Sequence, residues 1–405
     1  ANAYTNATNL YPGRFQEQIS FRAQRGPHMR HFSAFALAGA LLAFAPARAA
    51  ETQLPADIQA KISDAVNVTL KAYGGKTPVP GAVVGIWDPK LGEMFRGFGF
   101  ADLAARRPMA VADKFRIGSN TKTFIDTVIL QLADEKKLSL DDTLDKFKLP
   151  VKVPNANHIT LRQLGEMRSG IVDLYSSPEF QAYQFKIGDT FDVLPWVQKA
   201  LDHPALFPPG KQFDYSNTNY ILLGMVIEAV TRHSAASEVE SRILKPHHFT
   251  NTSYPVSDAG MPDPYAHGYT LNAKGGWDDE TVSLPPVATG AAGVMISDAG
   301  DMRRWVKMYV TGAVNSAAAQ KDRLSCRQTP RPGVKFGFGV GCSAGWFGYT
   351  GGITGYNTSA YYLPERDATI IAFVNSQREI KGKPDVSGAI LRAIAGILYP
   401  KNLPQ

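Results

Sequence analysis

Apolar side chains recur every three or four residues in several segments of this chain. Ile58, Ile62 and Val66 follow this spacing, which places them on one face of a helix. The Gly74-Gly75 pair ends that pattern, as glycine often does after a helix. The same criterion predicts helices at residues 55–73, 124–136, 160–168, 191–201, 218–232 and 386–398.

Short apolar runs bounded by turn-forming residues predict the strands. They lie at residues 82–87, 93–98, 114–117, 334–341, 356–363 and 368–375. A link rich in turn residues, 88–92, joins the first two runs, and the Pro364-Glu365-Arg366-Asp367 turn joins the last two. Both pairs are therefore predicted to be antiparallel hairpins.

This order of elements predicts an α+β fold. Residues 50–135 and 285–405 are expected to form an antiparallel sheet domain, with the first and last helices packed on one face of the sheet. Residues 136–284 carry helices and proline-rich loops but few strand patterns, so we expect them to form an inserted helical lobe on the other side. A cleft would lie between the two parts.

The N-terminal part of the chain has the pattern of a leader rather than of a fold. Met29-Arg30-His31 precedes a short apolar run that ends in Ala47-Arg48-Ala49, which is typical of a secretory signal peptide over residues 29–49. Residues 1–28 show no periodicity and are interpreted as an upstream, non-structural segment. We expect an exported protein, periplasmic or secreted, without a stable membrane span.

The net charge of +7 does not require a nucleic-acid partner. Residues 1–50 hold five arginines and one glutamate, which account for +4 of this charge and leave +3 for the rest of the chain. Such a weakly basic balance is ordinary for a globular protein. We therefore expect a small-molecule or peptide substrate and no nucleic acid, and the sequence leaves the oligomeric state open.

Cysteine and histidine positions give no metal site. The two cysteines, Cys326 and Cys342, lie 16 residues apart; in an oxidising compartment they are either bridged or two free thiols, and the spacing does not decide which. There is no His-Glu-x-x-His motif, and the adjacent His247-His248 side chains would point apart. We expect neither metal nor cofactor.

The first candidate for chemistry is the pair Ser119 and Lys122, at the start of the helix of residues 124–136. Residues three apart share one face of a helical turn. A lysine in this position can take the proton of a serine hydroxyl and turn it into a nucleophile. An N-cap serine followed by a solvated lysine is the alternative for this motif taken alone.

A second motif, Tyr215-Ser216-Asn217, precedes the helix of residues 218–232. The two outer side chains of such a triplet point the same way, so the phenol can reach a leaving group while the amide orients a substrate. A third, Gly348-Tyr349-Thr350-Gly351-Gly352-Ile353-Thr354-Gly355, precedes the late strand pair. Its glycines let a substrate approach a strand edge, or they form a simple hairpin turn.

Together and in this order, the three motifs resemble the serine DD-peptidase and class C β-lactamase superfamily, whose members resemble penicillin-binding proteins. The likeness is closest to the secreted D-Ala-D-Ala carboxypeptidase branch. Further matching stretches are Phe115-Arg116-Ile117-Gly118, Leu138-Ser139-Leu140-Asp141-Asp142, Leu161-Arg162-Gln163-Leu164, Ser169-Gly170 and Pro209-Gly210.

The resemblance implies a fold and a set of roles. The fold would be β-lactamase/DD-peptidase-like. Catalytic residues would be Ser119 as the acylated nucleophile, Lys122 as its base and Tyr215 as the proton relay. Substrate-binding residues would be Asn217, Tyr349, Thr350 and Gly352. The N–H groups of Ser119 and Gly352 would hold the oxyanion.

One position departs from the family pattern. The third motif usually begins with lysine or histidine, and this chain has Tyr349 there. The usual cation binds the carboxylate of D-Ala-D-Ala or of a penicillin, and a neutral phenol does not. The resemblance therefore implies a D-alanyl-D-alanine carboxypeptidase or a β-lactamase. The alternative, which Tyr349 favours, is a carboxylesterase or a D-amino-acid amidase/aminopeptidase on the same fold. Arg303, Arg304 and Arg331 are the candidates for a replacement charge.

Two further alternatives remain. Gly341-Cys342-Ser343-Ala344-Gly345 matches the Gly-x-Ser-x-Gly nucleophile elbow, but an elbow needs a helix after the serine. The glycines that follow cannot start one, so Ser343 is expected in a turn. The other alternative is a sensor that is acylated once, which repeated turnover of any ester would exclude.

Overall fold

The computed structural model describes residues 52–183, 191–257, 259–380 and 382–405. The predicted upstream segment 1–28 and signal peptide 29–49 lie outside these residues, so both stay predictions. Among the described helices, none combines the length and the apolar character that crossing a bilayer requires.

The long strands of the described residues are the first two and the last three in chain order, with short strands between them. In chain order the strands are β1 (Gly81–Asp88), β2 (Gly92–Asp102), β3 (Arg107–Pro108), β4 (Phe115–Arg116), β5 (Tyr269–Leu271), β6 (Trp277–Asp279), β7 (Ile296–Ser297), β8 (Arg327–Gln328), β9 (Lys335–Phe336), β10 (Gly341–Ser343), β11 (Trp346–Ile353), β12 (Tyr356–Leu363) and β13 (Ala368–Val374). The α-helices are α1 (Ala56–Ala72), α2 (Thr121–Asp134), α3 (Leu161–Gly165), α4 (Pro178–Gln181), α5 (Leu194–Asp202), α6 (Thr218–Thr231), α7 (Ala235–Val239), α8 (Ala299–Thr311), α9 (Ala317–Arg323) and α10 (Val386–Leu398).

Nine of the described strands form one antiparallel sheet in the order β3-β2-β1-β13-β12-β11-β10-β9-β8. The predicted hairpins β1–β2 and β12–β13 are both present, and they meet at the centre, where Ala82 pairs with Val374. The α+β fold class predicted from the sequence is confirmed.

Each face of the sheet supports its own hydrophobic core. Along β1 every residue is buried, and neighbouring side chains alternate between faces. Val84 packs with α1 and α10, which contribute Ile62 and Ile390. Val83 belongs to the other core, with residues of α2, α6 and α8. The terminal helices therefore cover one face of the sheet, as predicted.

Two segments differ from the predictions for the late strands. Residues 334–341 are not one strand, because β9 ends at Phe336 and β10 begins only at Gly341. Gly339 between them has φ +67° and donates its N–H to the Gly165 carbonyl, which turns the backbone out of the sheet. The glycine-rich third motif is mostly strand, since Gly348 to Ile353 belong to β11 and only Thr354-Gly355 forms the turn.

Helices α4, α7, α8 and α9 were not predicted. In α8 the buried residues Met302, Trp305, Val306 and Tyr309 do follow helical spacing, so the pattern was there to be found. Residues from Ala50 onward form a single compact unit. The proposed division of that unit into a sheet domain and a lobe at residues 136–284 stays a prediction.

Candidate active site

Ser119 lies in a tight turn rather than in the helix it was predicted to open. Gly118–Asn120 form one 3-10 turn, and α2 begins at Thr121. Gly118 has φ +50°, a conformation that strains other residues. A β-carbon at Gly118 would lie 2.9 Å from the Gly352 nitrogen, so the turn rests directly on the backbone of β11.

The hydroxyl of Ser119 is contacted by the two other predicted catalytic side chains. Its Oγ lies 2.9 Å from Lys122 Nζ and 2.9 Å from the Tyr215 hydroxyl. The lysine is fully buried, whereas 36% of Tyr215 is exposed. The structure therefore brings the first and second motifs together around a single oxygen atom.

Three oxygen atoms surround the amine of Lys122. Besides Ser119 Oγ, they are Asn217 Oδ1 at 2.7 Å and the Ala292 carbonyl at 2.6 Å. The amide and carbonyl oxygens can only accept hydrogen bonds. These two oxygens therefore each take one N–H group of Lys122, and the remaining direction of the amine faces the Ser119 hydroxyl.

Asp173 holds Asn217 in this arrangement. Its Oδ1 accepts the Asn217 backbone N–H at 2.8 Å, and its Oδ2 accepts from Nδ2 at 3.4 Å. With Nδ2 directed at the carboxylate, Oδ1 of Asn217 faces Lys122. Asp173 was not among the predicted residues, because no spacing connects residues 173 and 217 in the sequence.

Strand β11 offers unpaired backbone groups beside Ser119. The turn at Thr354-Gly355 closes on the pair Ile353 and Tyr356. Hydrogen-bonded and non-bonded pairs alternate along an antiparallel ladder. Gly352, opposite Asn357, therefore falls on a non-bonded pair, and its N–H points away from β12, on the side of the Ser119 turn. The same alternation directs the backbone groups of Thr350 into the cleft.

Tyr349, which takes the place of the family's lysine or histidine, is a buried neutral side chain. It is 4% exposed, and its hydroxyl has no hydrogen-bond partner among the described residues. Burial and the neighbouring Tyr215 raise the pKa of Tyr349 well above its usual value. The phenol is therefore a hydrogen-bond donor without charge throughout the physiological pH range.

A cleft of about 740 Å³ opens over Ser119. Its described lining includes Asn217, Thr350, Gly352 and Tyr349, but no lysine, arginine or histidine. Three carboxyl side chains do line it, those of Asp173, Glu379 and Asp385. Asp173 already accepts from Asn217, and Asp385 accepts from the Gly388 N–H at the start of α10, so among the described carboxyl groups of the lining Glu379 is the one left to face a substrate.

The candidates for a replacement cation lie elsewhere. Arg303 packs over the Trp87 ring, and Arg304 pairs with Asp301. Arg331 lines a second cavity, which adjoins the cleft at Tyr349. Of these three candidates only Arg331 lies near the third motif, and Arg392, which was not among the predicted residues, lines the same cavity.

A buried acid, which no sequence pattern indicated, lies behind the site. Asp126 in α2 accepts a hydrogen bond from the Tyr220 hydroxyl at 2.6 Å, and the Tyr220 ring lies 5.3 Å from Lys122 Nζ. Desolvation raises the pKa of Asp126 from 3.8 to about 8, although Tyr220, Arg323 and Lys122 act in the opposite direction.

Ser343 lies at the end of a strand, one residue before the turn in which it was expected. It ends β10, and the turn Ala344-Gly345 leads into strand β11 instead of a helix. Its hydroxyl donates to the Gly333 carbonyl and accepts from the Gln405 N–H. Cys342 beside it is bonded to Cys326, which settles the pairing that the sequence left open.

Comparison with known proteins places these residues in a family. The Beta-lactamase family model matches residues 66–394. The chain belongs to that family. The resemblance to the DD-peptidase and class C β-lactamase superfamily is thereby confirmed.

Individual relatives agree with this assignment. Protein flp of Staphylococcus aureus (strain NCTC 8325 / PS 47) is 31% identical over 244 residues, 58% of this chain and 46% of flp. The chain thus spans about half the length of the curated relatives it matches.

Two solved structures extend the likeness. The D-stereospecific amidohydrolase from Streptomyces sp. has a TM-score of 0.71 and 29% identity, with coverage of 83% of this chain and 98% of that one. The D-amino acid amidase from Ochrobactrum anthropi SV3 has a TM-score of 0.72, with coverage of 84% and 99%. At 22% identity, this second likeness shows the fold alone.

Proposed function

We propose that this protein is a serine hydrolase that works through an acyl-enzyme on Ser119. The supporting observation is the position of Ser119 Oγ, 2.9 Å from both Lys122 Nζ and the Tyr215 hydroxyl. Lys122 takes the serine proton as Oγ attacks the substrate carbonyl. The oxyanion is held by the N–H groups of Ser119 and Gly352.

Tyr215 then completes the acylation half of the reaction. Its hydroxyl is on the exposed side of Ser119, where it passes a proton to the departing nitrogen or oxygen. Asn217 and Thr350 orient the acyl group on either side of the bond that breaks. Water hydrolyses the ester on Ser119 in the second half and restores the free serine.

For the substrate, we propose amides or esters of D-amino acids with a free amino group. The buried, neutral Tyr349 supplies no charge for a substrate carboxylate. The carboxyl group of Glu379 lines the cleft and matches a substrate ammonium group. The likeness to the D-stereospecific amidohydrolase from Streptomyces sp. supports the D configuration.

A D-alanyl-D-alanine carboxypeptidase or β-lactamase is the second candidate function. Arg331 favours it, because this guanidinium lies in the cavity next to Tyr349 and Thr350. A carboxylate that passed beyond Tyr349 would meet that charge.

Steady-state kinetics on matched substrates separate the two candidates. The amidase proposal predicts turnover of D-alaninamide above L-alaninamide, and a large loss when the amino group is acetylated. The Glu379→Gln variant should raise KM for D-alaninamide with little change in kcat, while Glu365→Gln, in the exposed β12–β13 turn, serves as the matched control. Hydrolysis of benzylpenicillin with no activity on D-alaninamide would contradict the proposal.

The Tyr349→His variant tests the third motif directly. It restores the residue type usual in the family, so acylation by benzylpenicillin should rise and ester turnover should fall. An unchanged ratio of the two activities would mean that Tyr349 does not set the substrate class.

We also propose that the protein is exported, on the basis of the leader pattern at residues 29–49. The disulfide between Cys326 and Cys342 agrees with an oxidising compartment. N-terminal sequencing of protein recovered from the periplasm or the medium should give Ala50 or Glu51. Recovery of all the protein from the cytoplasm, with residues 29–49 attached, would contradict export.

A further inference from the structure

A second cavity of about 310 Å³ adjoins the cleft, and we call it the distal cavity. Tyr215, Tyr349, Thr350 and Asp385 line both spaces. Ser119, Asn217 and Gly352 line only the cleft. The distal cavity therefore begins at the proton relay and extends away from the groups that hold the acyl part of the substrate.

This position coincides with the path of a leaving group. The group that protonates the leaving group must reach the departing atom. In the proposed function this group is Tyr215, whose hydroxyl is hydrogen-bonded to Ser119 Oγ at 2.9 Å. A leaving group on that side enters the distal cavity, while the acyl group remains between Asn217 and Gly352. The buried Tyr349 hydroxyl lies where the cleft meets the distal cavity and has no hydrogen-bond partner among the described residues. It can donate a hydrogen bond to a polar atom of the leaving group.

The size and the walls of the cavity indicate a large apolar group. One water occupies about 30 Å³, so the distal cavity exceeds an ammonia-sized leaving group about tenfold. Phe336 packs edge-on against Phe213 and Tyr349, with ring centroids 5.5 Å and 5.7 Å apart. The remaining apolar lining comes from Val334, Tyr361 and Leu391. Aromatic walls of this kind favour an aromatic ring.

Two arginines supply positive charge to the same space. Arg331 and Arg392 both line the distal cavity, and within the described residues neither guanidinium makes a hydrogen bond or ion pair. The nearby Asp385 is already engaged, since its Oδ1 accepts from the Gly388 N–H at 2.7 Å and from the Ser387 hydroxyl at 3.0 Å. The charge of Arg331 does act on the Asp385 carboxyl, but a guanidinium without a hydrogen-bonded partner keeps its N–H groups for a substrate carboxylate.

We propose that the distal cavity binds the leaving group of a peptide substrate, an aromatic amino acid with a free carboxylate. The ring lies among Phe213, Phe336 and Leu391, and the carboxylate meets Arg331 or Arg392. This inference rests on the proposed function and extends it from simple amides to D-aminoacyl peptides. In the reaction the Ser119 Oγ–acyl bond forms and the C–N bond breaks. Lys122 takes the serine proton, Tyr215 gives its own proton to the amine nitrogen, and the proton on Lys122 then restores the Tyr215 hydroxyl.

Three peptides test the proposal by ratios of kcat/KM. They are D-alanyl-phenylalanine, D-alanyl-alanine and D-alanyl-phenylalaninamide. D-Alaninamide, whose leaving group is ammonia, measures the activity that does not depend on the distal cavity. Burial of the ring should favour phenylalanine over alanine as the leaving residue by about tenfold or more. The free acid should exceed its carboxamide by about tenfold, because a charge-assisted hydrogen bond is lost in the amide.

Variants of the cavity lining show which residues cause each preference. Arg331→Gln, at an exposed position, and Arg392→Gln should each reduce the acid-to-carboxamide ratio. Phe336→Ala should reduce the phenylalanine-to-alanine ratio, and Phe336→Leu retains apolar volume if the alanine variant does not fold. Lys335→Gln is the control, because Lys335 is exposed and does not line the cavity; it should leave both ratios unchanged.

The outcomes distinguish this inference from the proposed function. Turnover of D-alaninamide with both ratios near one in the wild type would overturn the leaving-group site and leave the hydrolase intact. Absence of turnover of any amide, peptide or ester would overturn both. Ratios that fall in the Arg331 and Phe336 variants but not in Lys335→Gln would support the distal cavity as the leaving-group site.

Discussion

Gly351 passes so close to Ile117 that a β-carbon on the glycine would lie 1.9 Å from the Ile117 carbonyl oxygen. This contact sets the separation between β11 and the turn that carries Ser119. Because the proposed oxyanion donors lie on these two segments, their spacing depends on the absence of a side chain at Gly351.

The Gly351→Ala variant should therefore lose activity. The strand and the turn must separate to admit a methyl group, and loss of one oxyanion donor costs about 100- to 1000-fold in kcat. Overpacking should also lower the free energy of unfolding by about 1–3 kcal/mol. Ester hydrolysis and urea unfolding measure both effects. Gly300→Ala in α8, where the nearest atom to a new β-carbon is 3.5 Å away, should preserve activity.

Removal of the Tyr215 hydroxyl should lower kcat far more than it raises KM. The phenol oxygen contacts Ser119, and general acid–base catalysis of this kind contributes about 100- to 10,000-fold. Stopped-flow and steady-state kinetics of Tyr215→Phe on a D-alanine ester would measure this loss. Near wild-type kcat in that variant would show that another group transfers the proton.

Asp173→Asn should disturb catalysis through Asn217. An amide at residue 173 directs an NH₂ group at Asn217 Nδ2, so the Asn217 side chain must turn and withdraw its oxygen from Lys122. Misplacement of a catalytic group by about 1 Å can cost on the order of 100-fold in rate. The rate constant for acylation measures the effect. Asp57→Asn on α1, a solvent-exposed carboxylate, should react at the wild-type rate.

The buried Asp126 should make stability depend on pH. Its pKa in the folded protein, about 8, is above the ordinary value of 3.8, so the folded state binds this proton more tightly than the unfolded state. Stability from this group is fully present below about pH 4 and is lost as pH rises through about 8. Relative to Asp126→Asn, the wild type should lose about 1.4 kcal/mol for each pH unit in that window.

Urea unfolding of both proteins at several pH values between 4 and 8 tests this prediction. The difference between the two free energies isolates Asp126, because the other titrating groups are common to both proteins. Parallel stability curves would mean that Asp126 is ionised at neutral pH in the folded protein, with Arg323 as its counter-ion.

The site residues that could be predicted from the sequence are those that lie close together along the chain. Ser119 and Lys122 are one helical turn apart, and Tyr215 and Asn217 share a loop, so each pair was visible in the sequence. The helix α10 and the strand β12 were predicted with their observed bounds. In α10 the apolar residues recur at helical spacing, and β12 lies between Gly355 and Pro364, which mark its two ends. The strand β11 was not predicted, because glycine is depleted in strands. Its glycines are explained by the turn at Gly118, which lies directly against the backbone of β11.

Residues brought in by tertiary packing could not be predicted. Asp173 reaches Asn217 from a loop before α4, and Asp126 meets Tyr220 only because α2 packs on α6. The distal cavity combines residues of β9, β12 and α10, whose side chains have no shared sequence pattern. The acidic character of the cleft likewise depends on which carboxyl groups the fold brings together.

The most direct test of the account is the mass of the protein during turnover of a D-alanine ester, quenched in acid and followed by peptide mapping. The account predicts an added D-alanyl group on the peptide that contains Ser119. Ser119→Ala should lack this adduct, and Ser343→Ala should form it as the wild type does. An adduct that persists in Ser119→Ala but disappears in Ser343→Ala, or turnover by Ser119→Ala at the wild-type rate, would contradict the account.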